Sequence, residues 1–212
     1  MMELFLNGSL TKVANAKVLA INYRLAPQNQ FPAALQDTLA AYLYLLNPPK
    51  DAGFELLNPK NIVIAGDSSG GGLSLALGLA IRDVCDAGLP SCAGIIGLSP
   101  WVGPEGRLQL YVNNEGLAIP YVSPMLAESL GNLPPLLLVA GNEERLRDET
   151  IYLAHRSAEP AKYKGPSYNA GKFEKSPFQT PTNTTFEIYE EMPHDFQFVD
   201  YACTEMSYER RT

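Results

Sequence analysis

A serine near the first third of the chain stands in a setting typical of a nucleophile. Ser68 is the middle residue of Gly66-Asp-Ser-Ser-Gly70, with an apolar β-branched run before it and an apolar, helix-like stretch after it. This order predicts a strand, a sharp turn and a helix, with the serine hydroxyl lifted at the turn. Glycine is needed on both sides because side chains there would collide as strand and helix close together. The helix N-terminus would place positive dipole beneath a developing oxyanion, which favours attack of the hydroxyl on a carbonyl.

Such a serine needs a base, and the chain offers only two histidines. His194 lies in Met192-Pro-His-Asp-Phe196, directly after the last predicted strand, at the sheet edge where ligands bind in open α/β folds. His155 lies within a predicted helix, with no strand end to aim it, and a surface or core role explains it. We therefore interpret His194 as the base.

The histidine in turn needs a carboxylate that fixes its tautomer and stabilises the imidazolium. Glu144 lies a few residues beyond the end of a predicted strand, where a loop carboxylate could reach His194. Glu143 is a close rival by position. Asp148 already belongs to the following predicted helix, where an acid can simply complement the helix dipole. We favour Glu144, and the other two acids stay open as alternatives.

The elements that must position these groups are an alternation of buried strands and helices. Five runs rich in Val, Ile or Leu are predicted strands, over 18–23, 61–66, 93–98, 135–140 and 185–190. Helical patterns lie between several of them, which is typical of a mostly parallel central sheet flanked by helices.

Three helices can be read from the spacing of apolar residues. Pro32 can open the first at its first position, and its apolar face comprises Leu35, Leu39, Tyr42, Leu43 and Leu46. The stretch 73–81 is apolar almost all round, so this second helix is predicted to be buried near the sheet centre. A third helix is predicted over 148–156.

The whole chain, 1–212, is compatible with a single α/β domain. Residues 101–133 are irregular, with glycine, proline and aromatic residues, and are predicted to cover the active site. Residues 159–184 are rich in polar residues and are predicted to be an insertion or a disordered loop, because long structureless connections are uncommon inside domains.

Composition limits the classes of partner. A net charge of −7 argues against nucleic acid and anionic membrane surfaces as main partners. No apolar run approaches the length of a transmembrane helix. The three cysteines, Cys85, Cys92 and Cys203, have no metal-binding spacing, and a Cys85–Cys92 pair has no further support. Oligomeric state and cellular compartment stay open.

Taken together, these motifs resemble the hormone-sensitive-lipase-like branch of the α/β-hydrolase superfamily, over roughly residues 16 to 200. Gly66-Asp-Ser-Ser-Gly-Gly71 is similar to the Gly-Asp-Ser-Ala-Gly-Gly motif of that branch. Further matching blocks are Tyr23-Arg-Leu-Ala-Pro27, Phe31-Pro-Ala-Ala-Leu-Gln-Asp37, Ser99-Pro-Trp101 and Pro134-Pro-Leu-Leu137. Glu144-Arg-Leu-Arg-Asp-Glu149 stands where the family has a block that opens with aspartate. The order serine, acid, histidine is also that of the family.

The resemblance implies an α/β-hydrolase fold and a carboxylic ester hydrolase that works through an acyl-enzyme. Ser68 would be the nucleophile, His194 the base, Glu144 the residue that orients it, and the Ser69 backbone N–H an oxyanion donor. We expect Asp67 and Trp101 to contribute to substrate binding. The implied partner is a small-molecule acyl ester, and no metal or organic cofactor is implied.

One family feature is missing from the sequence. The family carries a His-Gly-Gly-Gly loop after its third strand, which supplies most of its oxyanion hole, and the 212 residues contain no such loop. Without the family's first strands, 18–23 and 61–66 would have to pair directly or leave unpaired backbone inside the sheet. The sequence therefore predicts an N-terminally truncated hydrolase. Alternatives are a catalytically impaired enzyme, a non-catalytic binding protein on this fold, or a gene fragment.

Overall fold

The computed structural model describes residues 11–12, 14–84, 88–104, 111–163 and 177–198. Within this part of the chain, three helices alternate with four strands. The strands are β1 (Val63–Asp67), β2 (Gly94–Leu98), β3 (Leu136–Gly141) and β4 (Thr184–Tyr189). The helices are α1 (Ala33–Leu46), α2 (Ser68–Asp83) and α3 (Arg147–Ala158). Short 3-10 turns occur at Pro59–Asn61, Asn114–Ala118, Pro124–Leu126 and Phe196–Phe198.

The four strands form one parallel sheet in the order β1-β2-β3-β4. In a parallel sheet all carboxyl ends lie at the same edge, so the segments that follow β1, β3 and β4 converge there. These are the segments that carry the predicted serine, acid and histidine. The predicted parallel α/β architecture is confirmed, and each of the four strands lies within two residues of its predicted range.

Helix α2 packs against β1 and β2 and lies at the centre of the core. Every residue from Gly71 to Leu79 is buried, as its continuous apolar composition predicts. Helix α1 packs against α2, and α3 packs against β3 and β4. On α1, Leu35, Tyr42 and Leu46 are buried as expected, whereas Leu43 is 40% exposed. Pro32 is the N-cap residue of α1 rather than its first residue.

The strand predicted over 18–23 does not form. This stretch is irregular, and its apolar residues Val18, Leu19 and Ile21 are at least 40% exposed. The prediction of a strand over 18–23 is therefore wrong, and of the two alternatives for 61–66 the structure, which describes both stretches, shows no pairing with 18–23. Within the described residues β1 hydrogen-bonds only to β2, and Val63 on β1 is 54% exposed. The physical reason is that β-branched residues favour a strand only where a neighbouring strand and a buried face are available to them.

Parts of two predicted segments lie outside the described residues. Residues 105–110 of the predicted cover and residues 164–176 of the predicted insertion are among them. Across the described ranges, no helix combines the length and apolar character that a membrane crossing would require.

Candidate active site

The turn between β1 and α2 presents the predicted nucleophile. β1 ends at Asp67 and α2 begins at Ser68, whose φ of +49° lies in the left-handed region that is rare for residues with a side chain. A Cβ atom at Gly66 would overlap the carbonyl oxygen of Gly70, so only glycine lets strand and helix approach this closely. The Trp101 N–H donates to the Ser68 carbonyl oxygen at 2.8 Å, which ties this turn to the loop after β2.

A second close approach brings the histidine loop to the end of β3. A Cβ atom at Gly141 would overlap the carbonyl oxygens of Met192 and Pro193. The Glu143 N–H also donates to the Met192 carbonyl oxygen at 3.0 Å. The loop after β3 and the loop after β4 therefore lie in direct backbone contact, which places the acid and the histidine side by side.

The serine, the histidine and one acid form a continuous line of hydrogen bonds. His194 Nε2 lies 2.9 Å from Ser68 Oγ, and His194 Nδ1 lies 2.7 Å from Glu144 Oε2. The Glu144 side chain is fully buried, and its other oxygen accepts a hydrogen bond from the Gly141 N–H at 3.0 Å. A buried carboxylate on Nδ1 selects the tautomer in which Nε2 is free to accept the serine proton.

The rival residues lie elsewhere. Glu143 accepts a hydrogen bond from the Asn142 side chain at 3.2 Å. Asp148 is 78% exposed and pairs with Arg147. His155 is exposed on α3, with its ring 5.4 Å from that of Tyr163. Of the candidate acids and bases, the structure thus brings Glu144 and His194 together with Ser68.

Asp195 is a residue that the motifs do not single out, and it lies against the same histidine. Asp195 Oδ2 is 3.1 Å from His194 Nε2, and the Asp195 N–H donates to Ser99 Oγ at 3.2 Å. Its φ is +54°, a conformation that aspartate adopts more readily than most residues. Burial, together with the negative charges of Asp67 and Glu144, raises the pKa of Asp195 to about 6, although the charge of His194 acts in the opposite direction. Its place beside the histidine in the sequence was the only available signal.

An apolar cavity of about 280 Å³ opens beside the start of α2. Ser69 and Trp101 both line it, as do Tyr111 and Tyr121 from the segment predicted to cover the site. The remaining lining residues are Tyr23, Arg24, Leu25, Ala26, Ala34, Gly72, Leu73 and Val122. Asp67 is the N-cap residue of α2 and lies close enough to Asp195 to raise the pKa of its carboxyl group.

Two buried arginines bind the backbone of residues 125–131, which follow the cavity-lining residues Tyr121 and Val122 in the chain. Arg156 on α3 is completely buried, and its guanidinium donates to the carbonyl oxygens of Met125, Ala127, Glu128 and Tyr163. Arg82 on α2 donates to the carbonyl oxygens of Ser129 and Gly131, both at 2.9 Å. These bonds satisfy backbone oxygens of an irregular segment that has no strand or helix partners for them. In the part of the chain that the structure describes, no cluster of His, Cys, Asp and Glu could hold a metal ion.

Comparison with known proteins gives a consistent family. Residues 5–109 match a family model described as alpha/beta hydrolase fold. An acetyl-hydrolase from Streptomyces hygroscopicus is 31% identical over 211 residues, covering 89% of this chain and 60% of that protein. The structure of EstE5 soaked with p-nitrophenyl butyrate has a TM-score of 0.67 at 32% identity, covering 91% of this chain and 62% of that one.

A third match is an esterase from the bacterial hormone-sensitive lipase family, with a TM-score of 0.61 at 30% identity, covering 84% of this chain and 57% of that one. The chain belongs to the α/β-hydrolase superfamily, within its hormone-sensitive-lipase-like branch. It spans about three fifths of the length of these relatives.

Proposed function

We propose that this protein is a carboxylic ester hydrolase that uses Ser68, His194 and Glu144 as a catalytic triad through an acyl-enzyme. The observation that carries the proposal is the unbroken line of contacts from Ser68 Oγ through both ring nitrogens of His194 to the buried Glu144 carboxylate. The esterases and hydrolases among its relatives support the same reaction class.

In the proposed mechanism the hydroxyl of Ser68 attacks the ester carbonyl while His194 Nε2 takes its proton. The Ser69 backbone N–H, in the first turn of α2, donates to the tetrahedral oxygen and stabilises its negative charge. Collapse breaks the bond to the alcohol, which leaves with the proton from Nε2. Water then attacks the acyl-enzyme, Nε2 takes a proton from that water, and the carboxylic acid leaves as Ser68 regains its hydrogen. Glu144 stays ionised throughout and holds the ring.

The apolar cavity supports a substrate with a small apolar group. It adjoins Ser69, and its wall is formed by aromatic and aliphatic side chains, including Trp101 and Tyr121. We propose that it accepts the acyl group of short-chain esters, and that Trp101 contacts that group. Asp67 stays a proposed contributor to substrate binding beside the nucleophile.

The test compares hydrolysis of p-nitrophenyl acetate and butyrate by the wild type and by Ser68→Ala. We expect the serine variant to fall to the uncatalysed rate. The two histidines give a matched pair, because His194→Gln removes the proposed base, whereas His155→Gln changes an exposed residue of α3. We expect His155→Gln to keep wild-type rates. Equal rates for the wild type and Ser68→Ala would refute the proposal.

A second assay separates a weak enzyme from a non-catalytic protein. One oxyanion donor contributes about 2.7–4 kcal/mol to the barrier, so turnover depends strongly on how many donors are present. An alkyl fluorophosphonate reacts with an activated serine in a single step and needs no turnover. Mass spectrometry of the intact protein should show one phosphonyl adduct on the wild type and none on Ser68→Ala or His194→Gln. The absence of an adduct on the wild type would favour the non-catalytic alternative.

A further inference from the structure

His194 lies between two carboxylates, and only one of them belongs to the proposed triad. Glu144 contacts Nδ1 at 2.7 Å, and Asp195 contacts Nε2 at 3.1 Å. Ser68 Oγ lies 2.9 Å from the same Nε2 atom. A ring nitrogen carries either one proton or one lone pair, so Nε2 donates when the ring is charged and accepts when the ring is neutral. The Asp195 carboxylate is an acceptor only and pairs with Nε2 when that atom carries a proton, whereas the Ser68 hydroxyl can give its proton only to an Nε2 that carries none.

The Asp195 carboxylate is held where it is by the backbone. Its left-handed φ of +54° turns the chain directly after His194, and its N–H donates to Ser99 Oγ. Ser99 is completely buried, so this anchor does not depend on solvent. The Asp195 side chain is 23% exposed, and Oδ1 is buried without a hydrogen-bond partner among the described residues.

The charges around Asp195 make His194 its natural partner. The ionisable groups that act on it are His194, Asp67 at the end of β1, and Glu144 in the loop after β3. Two of these three are acids that oppose its ionisation, and the imidazolium alone favours it. A carboxylate in this position is best stabilised when Nε2 carries a proton.

We propose that Asp195 is a positioning residue that competes with Ser68 for Nε2 of His194. In the charged state the imidazolium forms an ion pair with the Asp195 carboxylate, whose Oδ2 lies 3.1 Å from Nε2, and the serine proton has no acceptor on that nitrogen. When the pair loses its shared proton, Nε2 presents a lone pair to Ser68 Oγ–H, and the triad is competent. Asp195 thereby raises the pH at which hydrolysis begins. This inference rests on the proposed function, because it regulates the same triad.

Two replacements remove the charge while respecting the backbone. Asp195→Gly fits a φ of +54° without strain, and Asp195→Asn keeps the size in a residue that also tolerates this conformation. Asp148→Asn is the matched control, since it removes one carboxylate that is 78% exposed and pairs with Arg147 rather than with His194. Circular dichroism establishes that each variant folds, and two different replacements keep the test valid if one does not.

The first measurement is kcat/KM for p-nitrophenyl acetate from pH 4.5 to 9. We expect the acidic limb of the profile to move to lower pH by about one unit in both Asp195 variants. An opposite charge at this distance shifts a titration by roughly one to three units, and the partial exposure of His194 favours the lower value. The limb should not move in Asp148→Asn. A limb that stays at its wild-type position in both Asp195 variants would overturn the proposal, even if their plateau rates fall.

The second measurement does not need turnover. With two histidines in the chain, a long-range ¹H–¹⁵N spectrum contains two imidazole rings, and His155→Gln assigns them. The pH-dependent change at His194 Nε2 should move to lower pH in Asp195→Gly and stay in place in Asp148→Asn. An unchanged midpoint would overturn the inference whatever the activity. A shifted midpoint in a protein that hydrolyses no ester would instead refute the proposed function and leave the pairing of Asp195 with His194 in place.

Discussion

Replacing Glu144 by glutamine tests the proposed triad most directly. Both Glu144 oxygens accept hydrogen bonds, one from His194 Nδ1 and the other from the Gly141 N–H. Both partners are donors when the ring is in the competent tautomer. A glutamine offers one acceptor and one NH₂ group, so it can satisfy only one of these donors. If its NH₂ faces Nδ1, the ring must become the Nε2–H tautomer, which cannot take a proton from Ser68.

The expected loss in kcat for Glu144→Gln is about 10³- to 10⁴-fold, or about 4–5.5 kcal/mol in the barrier. If the NH₂ instead faces Gly141, one buried donor lacks its acceptor, which costs about 1–3 kcal/mol of folding stability. The fully buried side chain allows no water to relieve either conflict. We therefore expect a lower kcat if the NH₂ group faces Nδ1, and a lower midpoint of thermal unfolding if it faces the Gly141 N–H.

The assay is p-nitrophenyl butyrate hydrolysis at saturating substrate, combined with thermal denaturation followed by circular dichroism. Glu143→Gln is the matched control, because Glu143 is the adjacent acid and contacts Asn142 rather than His194. It should keep wild-type kcat. A Glu144→Gln variant that keeps kcat within tenfold of wild type and also keeps the wild-type midpoint of thermal unfolding, in a protein whose Ser68→Ala variant is inactive, would refute the role of Glu144 as the orienting acid.

Three further predictions concern stability. Arg156→Met leaves several buried carbonyl oxygens without donors and should lower the free energy of unfolding by about 3 kcal/mol in urea titration. Lys162→Met, which removes an exposed ion pair with Glu159, should change it very little, and equal effects of the two variants would contradict the reasoning. Gly66→Ala forces a Cβ atom onto the Gly70 carbonyl and should cost about 2–3 kcal/mol in the same titration, and a neutral effect would contradict the close approach. Folding raises the pKa of Asp195 from 3.8 to about 6, so the folded protein binds this proton more tightly and loses stability as the pH rises from about 4 to 6. Asp195→Asn should therefore be more stable than the wild type by about 1–2 kcal/mol at pH 8 and nearly equal to it at pH 4. A gain of equal size at both pH values would exclude this cause.

The parts of the fold that the sequence predicts are those with a strong local signal. Strand β3 is a run of buried apolar residues, Leu136–Gly141, followed by charged loop residues. Helix α2 is apolar all round and begins at a motif that fixes its first residue, Ser68. Because strands in a parallel sheet end at one edge, the positions of Glu144 and His194 just after two predicted strands favour contact between them, although position alone leaves Glu143 and Asp148 open as alternative acids.

The parts that the sequence does not predict depend on distant neighbours. Residues 18–23 have the composition of a strand, but their own sequence does not determine whether another strand is available to pair with them. An arginine in the last turn of a helix is normally expected at the surface. Arg156 is buried instead because carbonyl oxygens of a segment about 30 residues away need donors. The contact of Asp195 with Nε2 depends on a left-handed turn, for which aspartate is only a weak signal.

The loop after β2 links the two sides of the site, although it contributes no member of the triad. The backbone N–H of Trp101 donates to the Ser68 carbonyl oxygen, and the Ser99 hydroxyl oxygen accepts a hydrogen bond from the Asp195 backbone N–H. The Ser99 N–H in turn donates to the Val139 carbonyl of β3 at 2.7 Å, and Ser99 itself has a left-handed φ of +42°. A single strained turn thus fixes the distance between the nucleophile and the histidine loop. Because both Ser68 and Asp195 are hydrogen-bonded to this loop, we expect their proposed competition for the same ring nitrogen to depend on the conformation of the loop after β2.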